Sequence, residues 1–576
     1  MSTHNTKLTP GADERMGSPV GEDTGTTASS MASLRSRAAN WQAQHRSSYL
    51  VVLVLLIAVT FILPGISRGE FHLNIDEAFH ATTGLFFADF ARDLPLRHPI
   101  QYTYRYYAQY PALGLVHWPP FFHLAEGAMF LMFGSSVVAA RLTVLLFAIV
   151  GLYFWFRIVN QLEDCWTAAA STIMLAGLPI LLLYEKSVLL EVPSLALCLA
   201  STYYWMLYRK RGDRRSAIRF GIAAGLALVT KQQSIYLVPL CLITLAPRNW
   251  SYLVRRTTIL AVGIVAVISL PFYALCFGVD TKSIAANVFH GVEHVSNPFL
   301  YYFSPLRNAL GMNLLLLSTA GAVTYVWWRR RKCPAIMFAW ICAWYVVFTG
   351  IGTKTPRYVV YALPPFIYFA VAPLMSKAIP QSFRRVGIVC VIALLARTSW
   401  RAWSYERPYV AGYSSIAHTV TQDPNGSVVL FDGDLSGNFI FFIRAEDARR
   451  RFVVLRKALY VTEVMAQFGS EELIHSEQDL DDLINDYGIK YVVIEKNAPI
   501  QFHSQKLLRD FLNSGRFRLL REEPIQSNVA LWKARSLLLY ENTAPAPPIR
   551  TSLHLRMLSM NHDIVEPLDG YLNGKH

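Results

Sequence analysis

The sequence predicts a polytopic α-helical membrane protein of about 11 transmembrane helices, followed by a C-terminal extracytoplasmic α/β domain. Of its 576 residues, 53% are hydrophobic and 16% charged, against roughly 25% charged in soluble domains. Apolar runs approach the ~20 residues that cross a hydrocarbon core, and they recur between residues 49 and 400. Basic residues collect in short clusters between those runs, as in cytoplasmic loops.

The runs lie near 49–66, 137–156, 166–184, 190–208, 217–231, 233–247, 257–278, 308–328, 335–351, 358–375 and 384–400. Residues 1–46 are rich in Ser, Thr, Gly and Ala and are expected to form a disordered cytoplasmic tail. The first apolar run starts near Tyr49, too late for a cleavable signal peptide. Residues 47–400 then make the transmembrane domain, with a large first outer loop at 67–136.

Arg209, Lys210, Arg211, Arg214 and Arg215 should be cytoplasmic, as should Arg255–Arg256, Arg329–Lys332 and Arg384–Arg385. Counting the apolar segment 117–133 as a span would put every later cluster outside. That segment opens with His117, Trp118, Pro119 and Pro120 and carries His123 and Glu126. It is therefore expected to lie in the outer interface or to enter without crossing. The net charge of +15 then reflects loop orientation. Nucleic acid is not an expected partner, since no reading module is visible. The seven cysteines show no CxxC spacing, so neither a zinc nor a redox motif is expected from them.

Residues 401–545 are expected as a separate extracytoplasmic α/β domain, with 546–576 an irregular tail. Strands are expected at 427–431, 438–444, 451–455, 491–495 and 529–533, and a polar helix near 471–487.

The chemistry-bearing residues gather on the expected outer face. Asp76 and Glu77 are adjacent at the membrane surface, just before a helical pattern. Such a pair suits a general base, and equally the first turn of a helix. Glu191 opens an apolar run with Pro193 behind it, and an acid pointing into a bundle is more often functional than decorative. Lys231 ends a run and either snorkels or faces an anion. Lys354 and Arg357 share a short outer turn, against the positive-inside trend, and either phosphate or lipid headgroups would account for them. His290, Glu293 and His294 resemble an inverted zinc motif but lack a third ligand in sequence. A divalent ion stays open as a cofactor.

Taken in order, several segments resemble the GT-C glycosyltransferases of the protein O-mannosyltransferase type and the bacterial aminoarabinose transferases of lipid A. They are Asp76-Glu77, His117-Trp118-Pro119-Pro120, Phe133-Gly134-Ser135, Ala140-Arg141-Leu142, Lys231, Lys354-Thr355-Pro356-Arg357-Tyr358 and Pro364. The resemblance covers roughly residues 49–400. It implies a polyprenyl-phosphate-linked sugar as donor and transfer on the outer side of a bacterial inner membrane, with inversion. Asp76 would be the general base, with Glu77 and Glu191 in the catalytic set. Lys231, Lys354 and Arg357 would bind the donor phosphate.

The sequence departs from the pattern at two places. The family's Tyr shortly after the acidic pair is replaced here by Phe79 and His80. The Lys before Pro-Pro is replaced by Trp118, with His117 beside it. His80 and His117 are the substitutes expected at the phosphate. The acceptor, whether protein, lipid or glycan, is not encoded in these motifs. A transporter or flippase is the rival class, but the matched broken helices of inverted repeats are not visible.

Overall fold

The computed structural model describes residues 45–72, 76–115, 117–245, 250–279, 297–327, 334–377, 379–462, 468–558, 560, 562–568 and 571. The expected tail, apart from its last two residues, lies outside them. So do His290, Glu293 and His294 and the basic cluster 329–332.

Each expected apolar run is helical. In chain order the helices are α1 (His45–Ile62), α2 (Asp76–Asp93), α3 (Pro99–Gln109), α4 (Phe121–Phe133), α5 (Val137–Leu162), α6 (Cys165–Ala176), α7 (Pro179–Glu185), α8 (Glu191–Arg211), α9 (Arg214–Leu228), α10 (Leu237–Leu245), α11 (Arg256–Val279), α12 (Phe303–Trp327), α13 (Ala335–Gly350), α14 (Leu363–Met375) and α15 (Gln381–Trp403). Among the described residues, six helical stretches are long and apolar enough to span alone. The number reaches seven when α6 and α7, bent by 71°, count as one span. Large apolar side chains such as Val262, Val267, Leu270, Val386, Val389 and Ile392 stay exposed on α11 and α15. Outward apolar faces of this kind are what a lipid-embedded bundle presents.

The first loop is ordered around α2, α3 and α4. At 13 residues, α4 is ~20 Å long, short of a ~30 Å hydrocarbon core. It packs closely on α2. A Cβ on Gly127 would lie 2.9 Å from the Gly84 carbonyl oxygen, so only glycine permits that approach.

The C-terminal region contains α16 (Tyr413–Thr421), α17 (Ser436–Glu446), α18 (Glu477–Asp486), α19 (His503–Leu512) and α20 (Ala530–Lys533). Its strands are β1 (Val410–Ala411), β2 (Val428–Asp432), β3 (Val453–Leu455), β4 (Tyr460–Thr462), β5 (Ser470–Glu472), β6 (Ile489–Lys496), β7 (Phe517–Pro524), β8 (Gln526–Ser527), β9 (Ser536–Asn542), β10 (Ser552–Leu555) and β11 (Ile564–Pro567). Five of them form the main sheet in the order β3-β2-β6-β9-β7. β3, β2 and β6 run parallel, while β9 is antiparallel to both β6 and β7.

β2 reads Val-Val-Leu-Phe-Asp and is buried at every position, as expected of a strand covered on both faces. Val428 and Leu430 enter one core with α18 and α19. Val429 and Phe431 enter the other with α16 and α17. That second core also takes in Phe86 of α2 and Tyr106 of α3. The region expected as a separate domain therefore shares a core with the first loop. A buried ion pair reinforces the contact, with Arg444 of α17 holding Asp89 of α2 at 2.6 Å, and Tyr106 of α3 donates to the same carboxylate at 2.8 Å.

Three local expectations are corrected. Residues 438–444 are not a strand but lie within α17, where the run Phe-Ile-Phe-Phe-Ile packs between the sheet and α2. Residues 530–533 form the short helix α20 and not a strand. The tail 546–576 is not irregular throughout, because β10 and β11 pair antiparallel and contribute Leu553, Leu555 and Ile564 to the core.

Candidate active site

The site is a chain of alternating charges drawn from four separate segments. Asp76 is the first residue of α2, and its Oδ2 accepts from Arg357 Nη1 at 2.8 Å. Arg357 comes from a 3-10 turn, Pro356–Ala362, that leads into α14. Its Nε lies 3.3 Å from Glu191 Oε1. Glu191 is the first residue of α8 and is fully buried. The same Oε1 accepts from Lys231 Nζ at 2.5 Å. Two carboxylates and two cations alternate, so a set of charges too costly to bury singly is held together by mutual pairing.

Tyrosines and serines brace this chain. Lys231 Nζ lies 5.8 Å from the centre of the Tyr358 ring, and Gln233 donates to the Tyr358 hydroxyl at 2.8 Å. The Tyr361 hydroxyl donates to Ser194 at 3.0 Å, and Ser194 in turn meets Ser234 at 2.8 Å. The His117–Pro120 segment runs alongside: the His117 carbonyl accepts from Gln232 at 2.7 Å, and Phe121 N–H donates to Val229 at 2.9 Å. Asp76 and Arg357 keep 18% and 27% of their side-chain surface exposed, so the open end of the chain is the Asp76–Arg357 pair.

Glu77 has a different setting from its neighbour. It is fully buried and accepts from the backbone of His72 at 2.9 Å, from Val188 N–H at 3.1 Å and from Arg407 at 3.1 Å. Arg141 Nε lies 4.0 Å away and spends its other donors on the carbonyls of Ile66, Arg68 and Glu70. Glu70 then caps α16, accepting from Gly412, Tyr413 and Ser414. This network fastens the first loop to α5, to the 186–188 turn and to the chain beyond α15. It engages both carboxylate oxygens of Glu77 within the protein.

Lys354 is likewise committed elsewhere. Its Nζ donates to the carbonyls of Phe348 at 3.1 Å and Thr349 at 2.8 Å, and to that of Ile351. It therefore caps the C-terminus of α13, a usual place for a lysine. His80 is buried on α2, with its Nδ1 2.9 Å from His123 Nε2 and its ring against Trp118 at 4.1 Å. Burial, the neighbouring His123 and the cations Lys231 and Arg357 hold this imidazole well below its ordinary value, so it is neutral near pH 7. His117 is exposed at the edge of the site.

Asp76, Glu191, Lys231 and Arg357 thus come together, with His117 beside them. Glu77 and Lys354 are not part of this chain and pair with other groups of the protein. Among the described residues, no group of three or more His, Cys, Asp or Glu is placed to hold a metal ion. Sequence reasoning did not single out Arg407 or Glu70, and Tyr358 entered it only as the end of a motif. Arg141 was noted only as part of a motif, although a charge in the first turn of an otherwise apolar helix was a usable signal.

A helical membrane bundle carrying this first-loop site and this α/β region defines the chain as a GT-C fold, the fold of membrane glycosyltransferases. Residues 117–274 match the family of dolichyl-phosphate-mannose-protein mannosyltransferases. Among solved structures, the chain is similar to ArnT from Cupriavidus metallidurans bound to undecaprenyl phosphate. The identity is 15% and the TM-score 0.59, over 86% of this chain and 99% of that one. It is similar to the oligosaccharyltransferase of Archaeoglobus fulgidus in complex with Zn and sulfate, at 12% identity and a TM-score of 0.54, over 77% of this chain and 68% of that one. It also resembles the mycobacterial arabinofuranosyltransferase AftD at 14% identity and a TM-score of 0.55, over 88% of this chain and 40% of that one. No curated protein sequence matches at a significant level.

Proposed function

We propose that this chain is an inverting membrane glycosyltransferase that moves a sugar from a polyprenyl-phosphate carrier to an acceptor hydroxyl on the extracytoplasmic face. The observation that carries this reading is the Asp76–Arg357–Glu191–Lys231 chain, which joins a base to two fixed cations inside a GT-C fold.

In the reaction, Asp76 takes the proton of the acceptor hydroxyl. The acceptor oxygen forms a bond to the anomeric carbon from the face opposite the phosphate. The bond between that carbon and the phosphate oxygen breaks, and its electron pair leaves on the lipid phosphate. Arg357 and Lys231 stabilise the charge growing there, the kind of preorganised electrostatics that contributes most in such sites. Glu191 holds both cations in place without touching substrate. A neutral His80 contributes shape rather than charge.

The test incubates the purified protein in lipid nanodiscs with a panel of polyprenyl-phosphate sugars and follows them by mass spectrometry. Consumption of one donor, with release of free polyprenyl phosphate, is the expected result. A panel that stays intact with every acceptor tried would overturn the enzyme reading.

We further infer that the protein sits in a bacterial inner membrane with its N-terminus inside and the region after α15 outside. The basic residues Arg209–Arg211 and Arg384–Arg385 fall on the opposite side from Asp76 in that arrangement. Alkaline phosphatase fused after Trp400 should be active outside the membrane, whereas a fusion active only in the cytoplasm reverses the orientation.

A further inference from the structure

The turn from α2 into α3 is apolar, basic and exposed. Leu94, Leu96 and Ile100 keep 62%, 74% and 67% of their surface open, and Arg92, Arg97 and His98 among them are exposed too. Large apolar side chains exposed this close together mark a contact surface, whereas single ones do not. The backbone adds to their cost in water. Leu94 sits in the left-handed region at φ 47°, which Gly or Asn occupies more readily. A leucine held there is both strained and exposed, and an apolar surround removes the second penalty.

The turn is held stiff. Pro95 and Pro99 fix the chain on either side of Leu96, and Leu96 N–H closes on the Leu94 carbonyl at 2.7 Å. At the base, Asp93 accepts from the Tyr102 hydroxyl at 2.7 Å and from Arg450 at 3.0 Å. Asp93 is the only acid between residues 92 and 100, so the one negative charge is met from behind. Arg92 also meets Asp89 at 3.4 Å. Arg97 is exposed, and among the described residues it has no ion-pair partner. The outward side of the turn is therefore apolar and cationic.

Its place follows from how α2 lies on α4. The two helices run in the same direction: His80 meets His123 at 2.9 Å, and one turn on, Gly84 lies against Glu126 and Gly127. At that register Ala91 stands level with Gly134, the residue that caps α4. Leu94 is then ~5 Å further along the axis and one helix spacing, ~8–10 Å, to the side. α4 ends in Leu131, Met132 and Phe133, all exposed. Val137 then opens α5, which is long and apolar enough to span and exposes Leu146 and Val150. The turn thus lies within ~15 Å of the N-terminal end of a span, and its apolar residues extend a surface that α4 and α5 already present.

We propose that this turn is a membrane anchor. Leu94, Leu96 and Ile100 sit in the interfacial layer of the membrane that the bundle crosses, and Arg97, with Arg92 beside it, contacts the phosphates of anionic phospholipids there. Apolar side chains flanked by cations hold a protein segment at such a boundary. α2 carries Asp76 at its other end, so the anchor sets the height of the candidate site against the bilayer surface. The inference stands whether or not the chain transfers a sugar.

The test replaces Leu96 with the photo-cross-linking residue p-benzoylphenylalanine in the full-length protein, held in nanodiscs of equal parts phosphatidylcholine and phosphatidylglycerol. Mass spectrometry after irradiation identifies what is captured. Val389, exposed on the span-length helix α15, is the reference position for lipid contact. Leu519, exposed on β7 of the sheet, is the reference for none. Position 96 should capture lipid as position 389 does, with phosphatidylglycerol favoured roughly fivefold, the effect of one basic side chain near an anionic surface. Arg97→Glu should bring that preference down to about one. A melting transition like that of the wild type establishes that each variant is folded, and Ile100 is replaced in place of Leu96 if that variant does not fold. No lipid at position 96 while position 389 captures it, capture of a second copy of the chain instead, equal lipid capture at position 519, or a preference unmoved by Arg97→Glu would each overturn the proposal.

Discussion

Asp76→Asn should reduce sugar transfer by roughly 10²–10⁴-fold, the range a positioned general base supplies, while the protein stays folded in the membrane. The substitution conserves volume and keeps an oxygen that can accept from Arg357, now 2.8 Å from Asp76. Arg357 also keeps Glu191 at 3.3 Å, so the cation is not stranded. What is lost is a group able to take a proton. Turnover within tenfold of the wild type would remove Asp76 as the base. Glu77→Gln is the useful contrast. It takes a charge from a fully buried carboxylate held by Arg407 and two backbone amides, so its main effect should be a lower melting transition.

Arg357→Ala should cost roughly 10²–10³-fold in kcat/KM for the donor, the usual effect of deleting a group that stabilises developing charge. It leaves Asp76 without its cation and Glu191 with Lys231 alone. Arg357→Lys should recover only part of the loss. A single ammonium cannot present the separate Nε and Nη1 donors that now meet Glu191 and Asp76. The loss should fall on donor use, with the acceptor KM little changed. An equal loss in both would count against a role at the phosphate. The melting transition has to be compared alongside, since removing one partner of a buried pair is destabilising by roughly 3–5 kcal/mol.

Much of the helical architecture was legible because its cause is local. A run of apolar residues long enough to cross a bilayer is visible without knowing its neighbours, and every expected run became a helix. β2 and β6 were legible for a related reason, since short apolar, β-branched runs next to turn residues read as buried strands. The segment 438–444 was not. Its aromatic and β-branched residues favour a strand, but α17 is covered by the sheet on one side and α2 on the other, so no amphipathic period marks it as a helix.

The charged residues of the site were legible one at a time. A carboxylate or cation at the end of an apolar run is conspicuous, and this singled out Asp76, Glu191, Lys231 and Arg357. It could not distinguish them from Glu77 and Lys354, which look the same in sequence. Asp76 and Glu77 are consecutive on α2 and so point about 100° apart around the helix. One meets Arg357 at the open end of the site, and the other meets Arg407 in a closed core. The partners lie 281 and 330 residues away. The sequence by itself determined a bundle of apolar helices long enough to cross a membrane, with acids and cations at the ends of its apolar runs, because burial cost is a property of each residue and its near neighbours. Which acid stands partly exposed beside Arg357 and which is buried against Arg407, and that the C-terminal sheet completes its core with the first loop, was decided only by the tertiary structure, because pairing energies depend on what distant segments bring alongside.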